Sequence, residues 1–135
     1  MLATVFENKY VTIAYDLSLS SSFLTWTMET EYMTDEEFRE IQIIYNNCNV
    51  DCRLQRTLLD TQNLRFLIGV ETQQWLAEKL YPRAIEAGMK RVAVVVSEEI
   101  IAQLSVEQAI QEDKTDAFQT QYFDSREDAS TWLFT

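Results

Sequence analysis

Arg91 leads into Val92-Ala93-Val94-Val95-Val96, the longest purely apolar run in the chain and almost entirely β-branched. Successive side chains of a strand point to opposite faces, so a strand that is apolar at every position must be covered on both. That condition is met at the centre of a sheet that carries helices. The run falls far short of the roughly twenty apolar residues a membrane span takes. Residues 91–96 are therefore read as a central strand, and the rest of the chain must supply its neighbours and its covering layers.

The first thirty residues alternate in the strand manner, which predicts strands over 2–7, 10–15 and 19–28 with turns at Asn8-Lys9 and Asp16-Leu17-Ser18. Tyr10, Ile13 and Tyr15, then Phe23, Leu24, Trp26 and Met28, suit a pleated surface with one buried side. Short connections make these strands antiparallel neighbours. Thr34-Asp35-Glu36-Glu37 has the form of a capping box, and Phe38, Ile41, Tyr45 and Cys48 recur on one helical face until Asn46-Asn47 begins the exit. The acids at its front suit the helix dipole.

A strand over 54–60 ends in the turn Thr61-Gln62-Asn63, and a second helix starts at Glu71 or Thr72. Trp75, Leu76, Leu80, Ala84 and Ile85 form its apolar stripe; Pro82 should kink it near Glu78, and Gly88 stops it with Met89 folding back over Ala84. After the central strand, Ser97 caps a short helix bearing Ile100, Ile101 and Leu104. Ser105-Val106-Glu107-Gln108 restarts a helix that runs to about Asp113. Residues 118–123 form the last strand, and Asp124 or Ser125 caps a final helix whose Ala129, Trp132 and Leu133 face inward. This order predicts an α/β fold: one mixed sheet of about six strands, the first three antiparallel, with four or five helices, over a single domain of residues 1–135.

A chain of 135 residues with 47% apolar content can bury a core large enough to need neither disulfides nor a metal. The formal charge of −11 argues against nucleic acid or anionic lipid as a partner, because affinity for phosphates rests mainly on Lys and Arg. The charge is uneven: −7 over residues 1–52, +3 over 53–91 and −7 over 92–135. The basic middle is a face suited to an acidic partner or simply a solvated surface. The N-terminus lacks the basic start and apolar stretch of a secretion signal, so a cytoplasmic location is expected. Cys48 and Cys52 have no His to complete a zinc site, and free thiols are expected of them.

Catalytic chemistry finds few candidates. The chain contains no His, whose pKa would lie near neutrality, and two glycines cannot build a phosphate-binding loop. Asp60 is the most interesting acid, since it ends an apolar strand at the edge where α/β proteins usually bind ligands; its alternative role is a turn cap on Gln62 or Asn63. Arg65 and Arg83 are candidates for an acidic partner or for surface ion pairs, while Trp26, Trp75 and Trp132 are assigned to packing.

Several segments resemble the STAS-type family of small bacterial proteins, classed with anti-sigma-factor antagonists, and its lipid-binding CRAL-TRIO relatives. They are Leu58-Leu59-Asp60-Thr61, Trp75-Leu76, Tyr81-Pro82-Arg83-Ala84-Ile85-Glu86-Ala87-Gly88 and the 91–96 strand, with Gln103-Leu104-Ser105-Val106-Glu107 and Phe123-Asp124-Ser125-Arg126-Glu127-Asp128-Ala129. The resemblance implies a STAS-like domain that binds a protein partner; together with the scarcity of catalytic groups it leads us to expect a non-enzymatic binder, itself as a homodimer included, with no metal or cofactor. It also implies a switch in some members, a phosphorylated serine after the strand that corresponds to 54–60. Here the family's Asp-Ser pair falls on Ile68-Gly69, which leaves Thr61 and Thr72 as the nearest hydroxyls and Thr72 as the phosphoacceptor candidate, with a helix N-cap as its other role. The expected site gathers Asp60, Thr61, Arg65, Gly69, Thr72, Trp75 and Arg83. A second function class follows from the lipid-binding relatives: a carrier of a small apolar ligand held between the sheet and the helix of Trp75.

Overall fold

The computed structural model describes residues 1–97 and 119–135. Its sheet contains six strands in sequence order: β1 (Leu2–Glu7), β2 (Val11–Asp16), β3 (Ser21–Trp26), β4 (Arg56–Asp60), β5 (Arg91–Val95) and β6 (Gln119–Phe123). The β1–β2 and β2–β3 pairs are antiparallel, and β3 through β6 run parallel. A bulge between Thr4 and Phe6 breaks the register of β1, the outermost strand. The mixed α/β architecture expected from the sequence is the one found.

Between β3 and β4 lies α1 (Asp35–Asp51), and between β4 and β5 a continuous helical stretch: α2 (Val70–Trp75), a π-helical turn (Leu76–Leu80) and α3 (Tyr81–Ala87). The last helix is α4 (Arg126–Leu133). None of the described helices is long and apolar enough to cross a membrane. The helices expected over 97–113 fall, beyond Ser97, outside the described residues.

The pleat sorts the layers. Leu24 and Trp26 of β3 and Leu59 of β4 join Phe38, Ile41 and Tyr45 of α1 with Leu76 and Leu80 in one cluster. Leu58, Ala93 and Val95, displaced by one position along their strands, meet Ala129 and Leu133 of α4 on the opposite face. β4 is thus covered on both faces, and in β5 Val92 packs against Cys48, Leu54, Ala84 and Met89 opposite the Ala93 and Val95 face, which is why the run can be apolar at successive positions.

Local signals explain most boundaries. Thr34 accepts from the Glu37 amide while the Glu37 carboxylate accepts from the Thr34 amide, the capping box read from the sequence. Asn8 Oδ1 accepts from the amides of Tyr10 and Val11, and Asp16 Oδ1 from those of Ser18 and Leu19, closing the two expected turns. Gly88 takes φ +129°, and the Met89 amide returns to the Ala84 carbonyl.

Four expectations need correction. β3 is shorter than 19–28: Leu19 lies in the turn and Met28 opens a 3-10 turn (Met28–Tyr32), both exposed. α1 does not exit at Asn46-Asn47 but runs to Asp51, where Arg53 takes φ +51° and the Leu54 amide reaches the Asn49 carbonyl. Both Asn46 and Asn49 are buried. α2 starts at Val70 after Gly69, so Thr72 is its third residue and not its cap. Ile85 is exposed, whereas its neighbours in the predicted stripe, Leu76, Leu80 and Ala84, are buried. The disturbance expected near Glu78 is found as the π-helical turn over Leu76–Leu80, and Pro82 stands in the first turn of α3, where its missing amide is tolerated.

Candidate functional site at the carboxyl edge of the parallel strands

β3 and β4 end at Trp26 and Asp60, and α1 and α2 begin at Asp35 and Val70, so the edge is roofed by the 3-10 turn and by residues 61–69. Aromatic stacking fixes this roof. Phe38 of α1 lies 5.5 Å from the Trp26 ring and 5.0 Å from that of Phe66, which with Leu64 anchors residues 61–69 on the core. The Arg65 amide donates to the buried Thr30 hydroxyl at 2.8 Å, joining the loop to the 3-10 turn.

Asp60 is almost wholly buried and committed on both oxygens. Oδ1 accepts from the Gln62 amide at 3.2 Å, the turn role weighed above, and Oδ2 pairs with Arg126 Nη1 at 3.1 Å. The same Nη1 donates to the Thr25 hydroxyl. Thr25 stands opposite Asp60 in the β3–β4 register, so the pair ties the start of α4 to two strand ends. Thr61 donates to the Val95 carbonyl at 2.7 Å through its hydroxyl and at 2.8 Å through its amide.

Thr72 is buried, and its hydroxyl donates to Asp35 Oδ1 at 2.6 Å while accepting from Arg39 Nη2 at 2.9 Å. Arg39 Nε in turn donates to Asp35 Oδ2 at 2.9 Å, and its guanidinium lies 5.0 Å from the centre of the half-buried Trp75 ring. A phosphate on Thr72 would have to break this bridge and displace it from the interior. Gly69 has ordinary backbone angles and open space where a side chain would start, so nothing local demands glycine there. Arg65 is exposed beside Met28, with 3.7 Å from Nη2 to the Met28 sulfur. Arg83 is exposed on α3, away from this group.

The edge therefore brings together Asp60, Thr61, Arg65, Gly69, Thr72 and Trp75, but not Arg83. Arg126, Asp35 and Arg39 complete it and were not singled out as site residues; the four-residue spacing of Asp35 and Arg39 was the available signal. A shallow open cleft of about 420 Å³ lies here, lined by Phe66, Leu67 and Val70 with Asp35, Arg39 and Thr72. Leu67 is 93% exposed and Val70 70%.

Behind the edge, between α1 and the sheet, runs a buried polar chain. Tyr45 donates to Thr57 Oγ1, Thr57 to Ser22 Oγ at 2.7 Å, and Ser22 to Asn49 Oδ1 at 2.6 Å, an order in which each hydroxyl donates once. Burial pushes the Tyr45 phenol up to about 12 against the partial opposition of these hydrogen bonds. Cys48 and Cys52 are free thiols, and burial pushes Cys48 up to about 11. Among the described residues, no cluster of three or more His, Cys, Asp or Glu side chains is placed to hold a metal. Comparison with protein families, with curated proteins and with solved structures found no match to this chain.

Proposed function

We propose that this protein is a non-enzymatic, STAS-like interaction domain that acts by binding another protein. The observation that carries the reading is the contrast at the carboxyl edge of the strands. Asp60, Thr61 and Thr72, the polar groups best placed for chemistry, are each engaged by partners inside the molecule, while Leu67 and Val70 stand in solvent. Polar groups tied up in this way hold shape, and exposed large apolar side chains at an edge gain most from being covered by a partner.

A carrier of a small apolar molecule is the second reading, favoured by the apolar lining of the cleft. Its openness favours a partner surface instead, since ligand sites bury most of their ligand.

Native mass spectrometry of the purified protein, followed by affinity capture from its own cells, separates these. The interaction reading expects no bound small molecule and a stoichiometric protein partner, or a second copy. A retained apolar adduct would replace it with the carrier. Turnover of a substrate that disappears in Asp60→Asn would overturn it.

A further inference from the structure

Four large apolar side chains are exposed around the carboxyl edge: Met28 at 60% and Tyr32 at 72% on the 3-10 turn, with Leu67 and Val70 across residues 61–69. Arg65, two residues before Leu67, links the two groups. Arg65 touches Met28 with its side chain and Thr30 with its amide, and Leu67 and Val70 line the same cleft. The rim is acidic. Glu29 and Glu31 flank Met28 and Tyr32 in sequence, Glu36 lies in the first turn of α1 and Glu71 in that of α2; all are exposed. Arg39 is bound to Asp35, so Arg65 is the one exposed cation among these residues.

We infer that this end is a docking surface for a basic, apolar-faced helix of another protein. An apolar centre inside a ring of like charge selects by both properties. The centre supplies affinity by removing Met28, Tyr32, Leu67 and Val70 from water, and the ring draws in Lys- and Arg-rich segments and repels acidic ones. Helix-in-groove recognition of this kind needs only apolar anchors at three- and four-residue steps with bases beside them. The inference rests on the protein-recognition reading and names its surface and its partner chemistry.

The test is fluorescence anisotropy with a labelled Leu/Lys peptide, leucines at helical spacing, titrated with the full chain. Controls are a Leu/Glu peptide of the same pattern and a Ser/Lys peptide. Expected are binding of Leu/Lys alone, weakening as salt rises, and a loss of about tenfold in the Leu67→Ser/Val70→Ser variant. Glu29→Gln/Glu31→Gln/Glu71→Gln should weaken binding while preserving the preference for leucines. Leu17→Ser/Leu19→Ser, at exposed apolar positions of the β2–β3 turn, should change nothing. Equal binding of the Ser/Lys or Leu/Glu peptide, no binding of Leu/Lys, or indifference to the Leu67/Val70 changes overturns the inference. Matching thermal midpoints of the variants exclude misfolding as the cause. Cellular capture that survives Leu67→Ser/Val70→Ser would remove this surface yet leave protein recognition intact, so the two proposals fail separately.

Discussion

The two ends of the parallel strands differ in kind. At the end where β4 and β5 begin, Arg53, Arg56, Lys90 and Arg91 gather near the exits of α1 and α3. At the other, acids cluster at the helix starts. Helix dipoles favour this division, because partial negative charge collects at helix exits and partial positive charge at helix starts. Among the described residues, the uneven charge over residues 1–91 thus becomes a polarity in space. The two ends also use their groups differently. Arg91 donates to the carbonyls of Trp132 at 2.8 Å and Thr135 at 2.9 Å and lies 5.1 Å from the Trp132 ring centre; Arg56 donates to the Leu19 carbonyl. Both ends expose apolar side chains, Leu17 and Leu19 beside the basic one and Met28, Tyr32, Leu67 and Val70 at the acidic one. They differ in that Arg56 and Arg91 bond to backbone carbonyls, whereas Asp60 pairs with Arg126 and Thr72 with Asp35 and Arg39. Arginines at one end can thus be structural while an apolar patch beside acids at the other is left to recognition.

The interior between the ends sets the largest expected effect. The Tyr45 phenol titrates near 10 in the unfolded chain and at about 12 in the folded one, so the unfolded chain releases its proton first. Its stabilisation is full below pH 10 and is lost as pH rises through 12, at about 1.4 kcal/mol per pH unit within that window. Cys48 acts in the same direction from its ordinary 9 to about 11. Urea unfolding across this range should show a clear alkaline decline, shallower above pH 10 in Tyr45→Phe; an unchanged slope in that variant would remove the buried phenol from the account.

Arg91→Ala should cost about 2 kcal/mol, since it removes charge-assisted bonds and a stacking contact that hold the C-terminus. A urea midpoint within error of the parent would contradict the structural role of the arginines at the basic end. Thr72→Val keeps shape but strips Asp35 and Arg39 of their shared hydroxyl, at about 1.5 kcal/mol by the same measurement. A negligible change would show that Asp35 and Arg39 hold together without it. Leu67→Ser/Val70→Ser is the smallest, within about 0.5 kcal/mol, because side chains already in water lose little. A larger loss, read from thermal unfolding, would make those side chains structural and erase the contrast between the ends.

The fold was legible wherever a residue's own chemistry dictated its surroundings. The 91–96 run demanded two covered faces, Thr34 with Glu37 marked a helix start, and Gly88 marked a helix stop because left-handed backbone favours glycine. The end of α1 was misread for the complementary reason. An arginine, Arg53, occupies the left-handed position there, where no residue preference reveals it, and the polar Asn46-Asn47 pair looked like an exit although Asn46 is buried. Of the candidate site, Asp60 was legible from its place at a strand end, together with its turn-capping role. Arg126, which lies 66 positions further on, was not, because pairing across that separation is created only by folding. Nor did Thr72 declare its partners, since its bonds run to Asp35 and Arg39 of a different helix.

Amide-resolved NMR of the isotope-labelled protein, titrated with the Leu/Lys peptide, tests the central claim most directly. The account predicts shift changes confined to residues 28–36 and 64–72. Changes centred on Arg53, Arg56 and Lys90, or spread evenly over the molecule, would contradict it.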